Sequence, residues 1–169
     1  MVIYKNIETE IDKIEKLGKL RKKENVDFRI YLKGQDPHRI DEIVYRLNIE
    51  ISKQIDCTSC GNCCMKLTPV ITDQDIQRLS QRLKLKPKQI KEDYIEMAEG
   101  EQYFKYLPCV FLKEKKCTIY NDRPEACSSF PHLHKKEFIS RLCGVIDNYS
   151  ICPIVFNVFE NLKTELNYK

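Results

Sequence analysis

The chain has 169 residues, of which 42% are hydrophobic and 32% charged, and its formal net charge is +4. This balance is typical of a globular protein and excludes an intrinsically disordered chain. No run of about 18 apolar residues occurs, so no membrane span is expected. Charged residues interrupt positions 1–22 too often for the apolar core of a secretory signal, so we expect a cytoplasmic protein.

The first part of the chain predicts two helices with an extended segment between them. Apolar residues at helical spacing over 7–20 predict an amphipathic helix, and only two heptads are covered, which favours packing on the same chain over a coiled coil. Apolar and polar residues alternate over 26–32, which indicates a strand, although irregular chain crossing a core fits equally. Asp36 and Pro37 are a helix start signal, so we predict a helix from Pro37 that leads to Cys57.

The middle of the chain predicts a tight loop followed by two helices. Residues 57–64 contain Gly61 and show no apolar periodicity, so we expect a loop whose backbone can wrap an ion. Thr72 and Asp75 have the spacing of a capping box with Asp in place of Glu, which predicts a short helix. Pro87 predicts the start of another helix, with Met97 and Ala98 on its inner face and its end at residue 100.

The last third changes in composition and predicts a hairpin. Aromatic and β-branched residues over 103–112 and 117–120 flank a charged stretch at 113–116, which indicates a hairpin carrying Cys109 and Cys117. A turn at 122–124 then leads into a short helical segment with Cys127, and residues 128–140 are expected to form a loop. Cys152 and Pro153 predict the start of a final helix. The predicted fold class is α+β, dominated by helices, with a small β-hairpin and metal stabilisation. We predict an N-terminal helix and connector at 1–35 and a metal-binding domain at 36–169.

Nine cysteines are the main chemical signal. In the cytosol thiols are kept reduced, so they indicate metal ligands before disulfides. Two overlapping C-x2-C spacings, followed directly by a fourth cysteine, place several sulfurs where one turn can present them to an ion. Adjacent residues usually direct their side chains apart, so Cys63 and Cys64 predict two metal centres close together or one cluster with several faces.

The spacing leaves zinc and iron–sulfur both open. Three close cysteines followed by a Cys-Pro partly match a ferredoxin pattern, but the fourth ferredoxin cysteine lies nearby in sequence and Cys152 does not. His132 and His134 suit zinc or iron but are not needed beside so many thiols. Eight thiolates with two Zn²⁺ would cancel the charge surplus, because metal-bound thiols are deprotonated. Nucleic acid is therefore not an expected partner, and the predicted partners are metal ions.

Several motifs in fixed order resemble one known family. They are the Cys-x2-Cys-x2-Cys-Cys run, Pro-Cys-Val-Phe-Leu at 108–112, Cys-Thr-Ile-Tyr at 117–120, Arg-Pro-Glu-Ala-Cys at 123–127, Phe-Pro at 130–131 and Cys-Pro at 152–153. Together they resemble the YkgJ-type cysteine-cluster family of zinc- or iron-chelating domains. The segment from Leu67 to Leu79 is also similar to the one that follows the cysteine run in that family.

The resemblance implies eight metal ligands and leaves Cys143 outside the pattern as an unpaired thiol. Ser128 departs from the family, which often has Arg there, so Arg123 would have to serve the thiolates alone. The implied function is metal chelation for folding, with redox or metal handling. Alternatives are a module related to flagellin lysine methylase, which is similar here, or a zinc-stapled interaction module for protein or nucleic acid; enzyme activity is left open. The implied ligands are Cys57, Cys60, Cys63, Cys64, Cys109, Cys117, Cys127 and Cys152.

Overall fold

A computed structural model describes residues 7–168 and separates the chain into two compact units. The helical unit joins the residues up to Asp56 with those from Pro131 onward, and the cysteine unit is Cys57–Phe130. Helices predominate and two small antiparallel hairpins accompany them, which confirms the predicted helix-dominated α+β fold. Its stabilisation by metal stays a prediction. The predicted domain boundary after residue 35 stays a prediction.

Helices lie along most of the described chain, and the strands lie in its middle. The helices of the described chain are α1 (Ile11–Leu20), α2 (Lys22–Lys33), α3 (Pro37–Ser52), α4 (Cys57–Cys60), α5 (Asn62–Lys66), α6 (Asp73–Leu83), α7 (Pro87–Tyr94), α8 (Glu125–Ser129), α9 (Leu142–Tyr149) and α10 (Pro153–Glu165). The strands are β1 (Ile95–Ala98), β2 (Glu101–Phe104), β3 (Leu112–Lys113) and β4 (Lys116–Cys117), and 3-10 turns lie at Tyr120–Asp122 and Phe138–Arg141.

The first predicted helix is present but begins at Ile11 instead of residue 7. Asn157 of α10 binds the preceding backbone at both polar groups of Glu8, accepting from its N–H at 2.9 Å and donating to its carbonyl at 2.7 Å. Because both backbone polar groups of Glu8 are hydrogen-bonded to Asn157, the chain before α1 is held in a non-helical conformation.

The predicted strand at 26–32 is wrong, because these residues belong to α2. Phe28 and Leu32 are buried four positions apart, together with Asn25, which is the spacing of one helix face. Val26 and Ile30 supplied the rest of the alternation, yet they are 41% and 66% exposed. Two exposed apolar side chains therefore gave a helix the pattern of a strand.

Helices α3 and α10 pack against each other in the core of the helical unit. The predicted start of α3 is confirmed, since the Asp36 carboxylate accepts the His38 N–H at 3.0 Å. The predicted start of α10 at Pro153 is confirmed as well. The polar group Lys163 is only 5% exposed and donates to Glu160 at 2.8 Å, with further bonds to α2, so this buried charge is paired.

In the cysteine unit, the predicted capping box at Thr72 is confirmed at the start of α6. The helix predicted from Pro87 is present but ends at Tyr94, and the prediction that it continues to residue 100 is wrong. Glu99 and Gly100 both have positive φ, of 52° and 83°, which suits a tight hairpin turn and reverses the chain between β1 and β2. Met97 is consequently 66% exposed on a strand instead of buried on a helix.

The core of the cysteine unit is formed by side chains from α6, α7, β1, β2 and the segments that flank the β3–β4 hairpin. Its buried members are Ile71, Ile76, Leu79, Ile90, Ile95, Phe104, Phe111 and Ile119, with Cys109 and Cys117 packed partly buried against them. Between residues 7 and 168 no helix has the length and apolarity that a membrane crossing requires.

Candidate metal centre

The cysteine run folds as two short helices, α4 and α5, where a loop was predicted. A C-x2-C spacing spans nearly one helical turn, so both ends of α4 carry a cysteine. Gly61 joins the two helices with φ of 63°, in the left-handed region that favours glycine. A Cβ at Gly61 would lie 3.0 Å from the Lys115 carbonyl oxygen, so this residue also allows the run to approach the β3–β4 turn.

The hairpin predicted from residues 103–112 and 117–120 is present only as the short strands β3 and β4, and β4 carries Cys117. Tyr103 and Phe104 belong to β2 instead. Glu114 and Lys115 form its turn with positive φ. Cys109 lies just before β3 instead of on a strand, and its N–H donates to the Cys64 carbonyl at 2.8 Å. This backbone bond joins the segment before the hairpin to the cysteine run.

The predicted turn at 122–124 leads into α8, which carries Cys127. The Cys127 N–H donates to the Pro124 carbonyl at 3.0 Å, which closes the first turn of this short helix. The Arg123 guanidinium lies 3.8 Å above the ring of Tyr120 and donates to the carbonyl of that residue at 2.6 Å. Contacts within residues 120–127 themselves therefore hold the backbone that leads to Cys127.

These segments surround a cavity of about 210 Å³ within the cysteine unit. Its wall is mostly apolar, with Phe104, Phe111 and Ile119 among the lining side chains, and Arg123 also faces it. Six of the eight predicted ligands line it, while Cys60 is half-buried in α4 and is not among the lining residues. The six are Cys57, Cys63, Cys64, Cys109, Cys117 and Cys127.

Four of these thiols lie within electrostatic reach of one another. Burial is the largest cause that raises the pKa of Cys127, to about 12, and the thiols of Cys64, Cys109 and Cys117 add to it. Burial first, then Cys64 and Cys117, raises the pKa of Cys109, and burial followed by Cys64 raises that of Cys117. Every pair among the four is therefore close enough for their charges to interact.

Cys63 and Cys64 do not direct their thiols apart, contrary to the expectation from adjacent positions. A hydrogen bond between the two thiols is the largest cause that raises the pKa of Cys64, ahead of burial. Their backbone lies in α5, immediately after the change of direction at Gly61. The two sulfurs are thus available on the same side of the run.

Arg123 supplies a positive charge that acts on two of the four thiols. Its guanidinium lowers the pKa of Cys117 and of Cys127, although burial outweighs this effect at both. A cation in this place reduces the repulsion between thiolates that come together at one ion.

The donor chemistry of the cavity fits zinc or an iron–sulfur cluster, which both take thiolate ligands. Among residues 7–168, however, no three cysteine, histidine or acidic side chains are arranged as a ready-made metal site. The residue types therefore fit a thiolate-bound metal, although the described side chains are not already arranged around an ion.

The remaining candidates lie in the helical unit. Cys152 is buried at the N-cap of α10, and Cys143 is exposed on α9, a helix that the sequence analysis missed. His132 is half-buried, with its pKa lowered by burial and then by the neighbouring charge of Lys135, and His134 is exposed. The prediction that both histidines lie in a loop is confirmed.

One residue near the centre has a role that the sequence analysis did not identify. Asp75 was predicted only as a helix cap, but its second carboxylate oxygen also accepts the N–H of Glu125, two residues before Cys127. The signal in the sequence was weak, because a capping box by itself predicts contacts only within its own helix.

A cavity lined by six thiols has the residue types that a thiolate-bound metal takes. A sequence model of the CxxCxxCC family, described as "Putative zinc- or iron-chelating domain", matches residues 56–144, which is more than half of the chain. The chain belongs to this family. The match spans the whole cysteine unit and ends before Cys152. No solved structure matches the chain.

Proposed function

We propose that this protein chelates zinc or an iron–sulfur cluster through its cysteine unit, and that the metal is required for that unit to fold fully. The observation that carries the proposal is the presence of six cysteines around one cavity. Thiolates so close together repel one another when they ionise, and a bound cation removes that repulsion.

The cavity has more thiols than one ion uses. A structural zinc takes four ligands, whereas six cysteines line this cavity and Cys60 belongs to the same run. Because the thiols of Cys63 and Cys64 are hydrogen-bonded to each other, ions bound by these two residues would lie close together. We therefore propose more than one metal atom per chain.

We assign the first centre to the four mutually neighbouring thiols of the cavity. These are Cys64, Cys109, Cys117 and Cys127. Two of them are already linked through their backbones, since the Cys109 N–H donates to the Cys64 carbonyl. A tetrahedral set of four thiolates is a ligand set that suits both zinc and iron–sulfur clusters.

The second centre is assigned to the remaining cysteines of the run, Cys57, Cys60 and Cys63. Support for these three is their C-x2-C-x2-C spacing, and Cys57 and Cys63 also line the cavity. Cys152 remains the eighth predicted ligand because of its Cys-Pro sequence pattern. Its place at the N-terminus of α10 also favours the thiolate form.

Metal binding should draw the four thiols of the first centre together, because they are not arranged as a ready-made site. Four thiolates around Zn²⁺ leave two negative charges, and Arg123 offsets one of them. We place the protein in the cytoplasm, where thiols remain reduced and able to bind metal.

The test is anaerobic purification in reductant, followed by metal analysis and a visible spectrum. We expect more than one metal atom per chain, with brown absorbance for iron–sulfur and none for zinc. Cys127→Ser should remove the first centre, and Cys57→Ser the second, so each variant should lose part of the metal. Full-length protein that is folded and free of metal after aerobic and anaerobic purification would refute the proposal.

A further inference from the structure

We propose that one face of α6 positions the metal-binding segment at 117–127, and that Asp75 is the central positioning residue. This inference rests on the proposed metal-binding function. It concerns the part of the chain that resembles the family between Leu67 and Leu79, which contains no cysteine and which chelation alone does not explain.

Asp75 is fully buried and uses both carboxylate oxygens as acceptors. One oxygen, Oδ2, accepts the Thr72 N–H at 2.8 Å and the Thr72 hydroxyl at 2.7 Å, which completes the capping box. The other, Oδ1, accepts the Glu125 N–H at 3.0 Å and also binds the Arg78 guanidinium. A single side chain thus joins the start of α6 to the start of α8.

Two arginines continue this contact along the same helix face. Arg78 and Arg82 follow Asp75 at three and seven positions, which places all three on one side of α6. Arg78 donates to the Arg123 carbonyl at 3.4 Å. Arg82 donates to the Thr118 carbonyl at 3.3 Å and lies 3.4 Å from the Asp122 carboxylate.

The contacts fall next to two of the four thiols assigned to the first centre. Thr118 directly follows Cys117, and Glu125 stands two residues before Cys127. The segment between them consists of turns and the five-residue helix α8, so it has little regular structure of its own to hold the thiols. The face of α6 supplies that support from outside the segment.

Helix capping by itself needs only one oxygen of Asp75. The Glu125 N–H is the first helical donor of α8, and such donors have no partner within their own helix. Its partner lies fifty residues earlier in the chain. Groups that orient metal ligands in this way typically change metal affinity by about 10–100-fold when they are lost.

The first test removes only the donor. Glu125→Pro deletes the N–H at the first helical position, where proline is well tolerated, and Pro124 already has the extended conformation that a following proline requires. Glu125→Ala is the matched control, because it removes the carboxylate but keeps the N–H. Zn²⁺ affinity of the reduced full-length chain is measured by competition with a chromophoric chelator, and the far-UV signal of the metal-free proteins is compared.

We expect Glu125→Pro to bind Zn²⁺ at least about 10-fold more weakly than Glu125→Ala, with equal far-UV signals. The second pair is Asp75→Asn and Thr72→Ala. An amide has one acceptor oxygen and cannot serve both partners, so Asp75→Asn should weaken Zn²⁺ binding. Thr72→Ala destabilises α6 but leaves the bond to Glu125, so its affinity should stay at the wild-type value.

The outcomes separate this inference from the function on which it rests. Equal Zn²⁺ affinities for Glu125→Pro and Glu125→Ala, with a wild type that binds, overturn the positioning role alone. The same holds if Asp75→Asn and Thr72→Ala lose affinity in parallel, which would indicate only a structural effect. A wild type that binds no Zn²⁺ in this assay and is also free of metal after anaerobic purification overturns the proposed function and the inference together.

Discussion

The two units of this chain differ in the size of their apolar cores and in the length of their helices. The helical unit contains long helices and a dense aromatic core, in which the rings of Phe28 and Phe159 pack edge to face at 5.1 Å. The cysteine unit has a smaller core around Phe104 and Phe111, and three of its helices have five residues or fewer. Short helices are marginal without tertiary support, so the second unit depends more on what surrounds its backbone.

The difference indicates where each unit obtains its stability. The cysteine unit comprises residues 57–130. Below about 70–80 residues, a single hydrophobic core rarely contributes more than about 3–5 kcal/mol to the free energy of unfolding, and this unit is close to that limit. Part of that unit's interior is a cavity lined by thiols, which contribute little until they bind metal. We therefore expect metal to stabilise the cysteine unit and apolar packing to stabilise the helical unit.

Metal removal should give the largest effect and separate the two units. We expect a chelator with reductant to abolish amide-exchange protection at Thr118 and its neighbours while protection in α3 and α10 persists. The lost stabilisation is on the order of 10 kcal/mol, as for other structural thiolate sites. The measurement is hydrogen exchange of loaded and stripped protein by mass spectrometry; an equal loss of protection in both units would remove the contrast between them.

A core substitution in α2 should destabilise the helical unit and leave the cysteine unit unchanged. Phe28→Ala should destabilise the helical unit by about 3–5 kcal/mol, because its side chain is fully buried. Chemical denaturation of the zinc-loaded protein checks this, and metal content should not change. Ile30→Ala is the control on the exposed side of the same helix, with an expected change within about 0.5 kcal/mol. Similar costs at both positions would favour a strand, in which Phe28 and Ile30 lie on the same face.

Two glycines should respond with opposite signs. Gly61→Ala forces a side chain into the left-handed region, 3.0 Å from a carbonyl oxygen, and should cost about 1–2 kcal/mol. Gly144 lies in α9 with open space around it, so Gly144→Ala should stabilise by about 0.5–1 kcal/mol. Denaturation of both variants with zinc bound is the measurement. A stabilising Gly61→Ala would contradict the conformation assigned to the cysteine run.

The smallest effect is expected at Cys143, which is exposed and lies outside the family pattern. Cys143→Ser should leave metal content unchanged and alter stability by no more than about 0.5 kcal/mol. Cys63→Ser is the comparison, and it should lose metal and destabilise the cysteine unit. Metal analysis of the two purified variants decides the matter, and a comparable loss from both would count against the choice of eight ligands.

Local signals in the sequence were reliable where the chain's own neighbours decide the structure. The caps at Asp36 and Thr72 and the start of α10 at Pro153 depend on hydrogen bonds or steric limits within a few residues. Apolar periodicity was less reliable. Exposed Val26 and Ile30 imitated a strand, and the helix after Pro87 was extended through a hairpin turn at Gly100.

The sequence alone determined that this chain is cysteine-rich, mainly helical and similar to zinc- or iron-chelating domains, because thiol chemistry and cysteine spacing are properties of the chain itself. Only the tertiary structure decided which thiols are neighbours. It brought Cys64 together with Cys109, Cys117 and Cys127, which lie up to sixty-three residues apart, and it directed the second oxygen of Asp75 toward Glu125. Such contacts depend on how separate segments pack, and no local pattern encodes them.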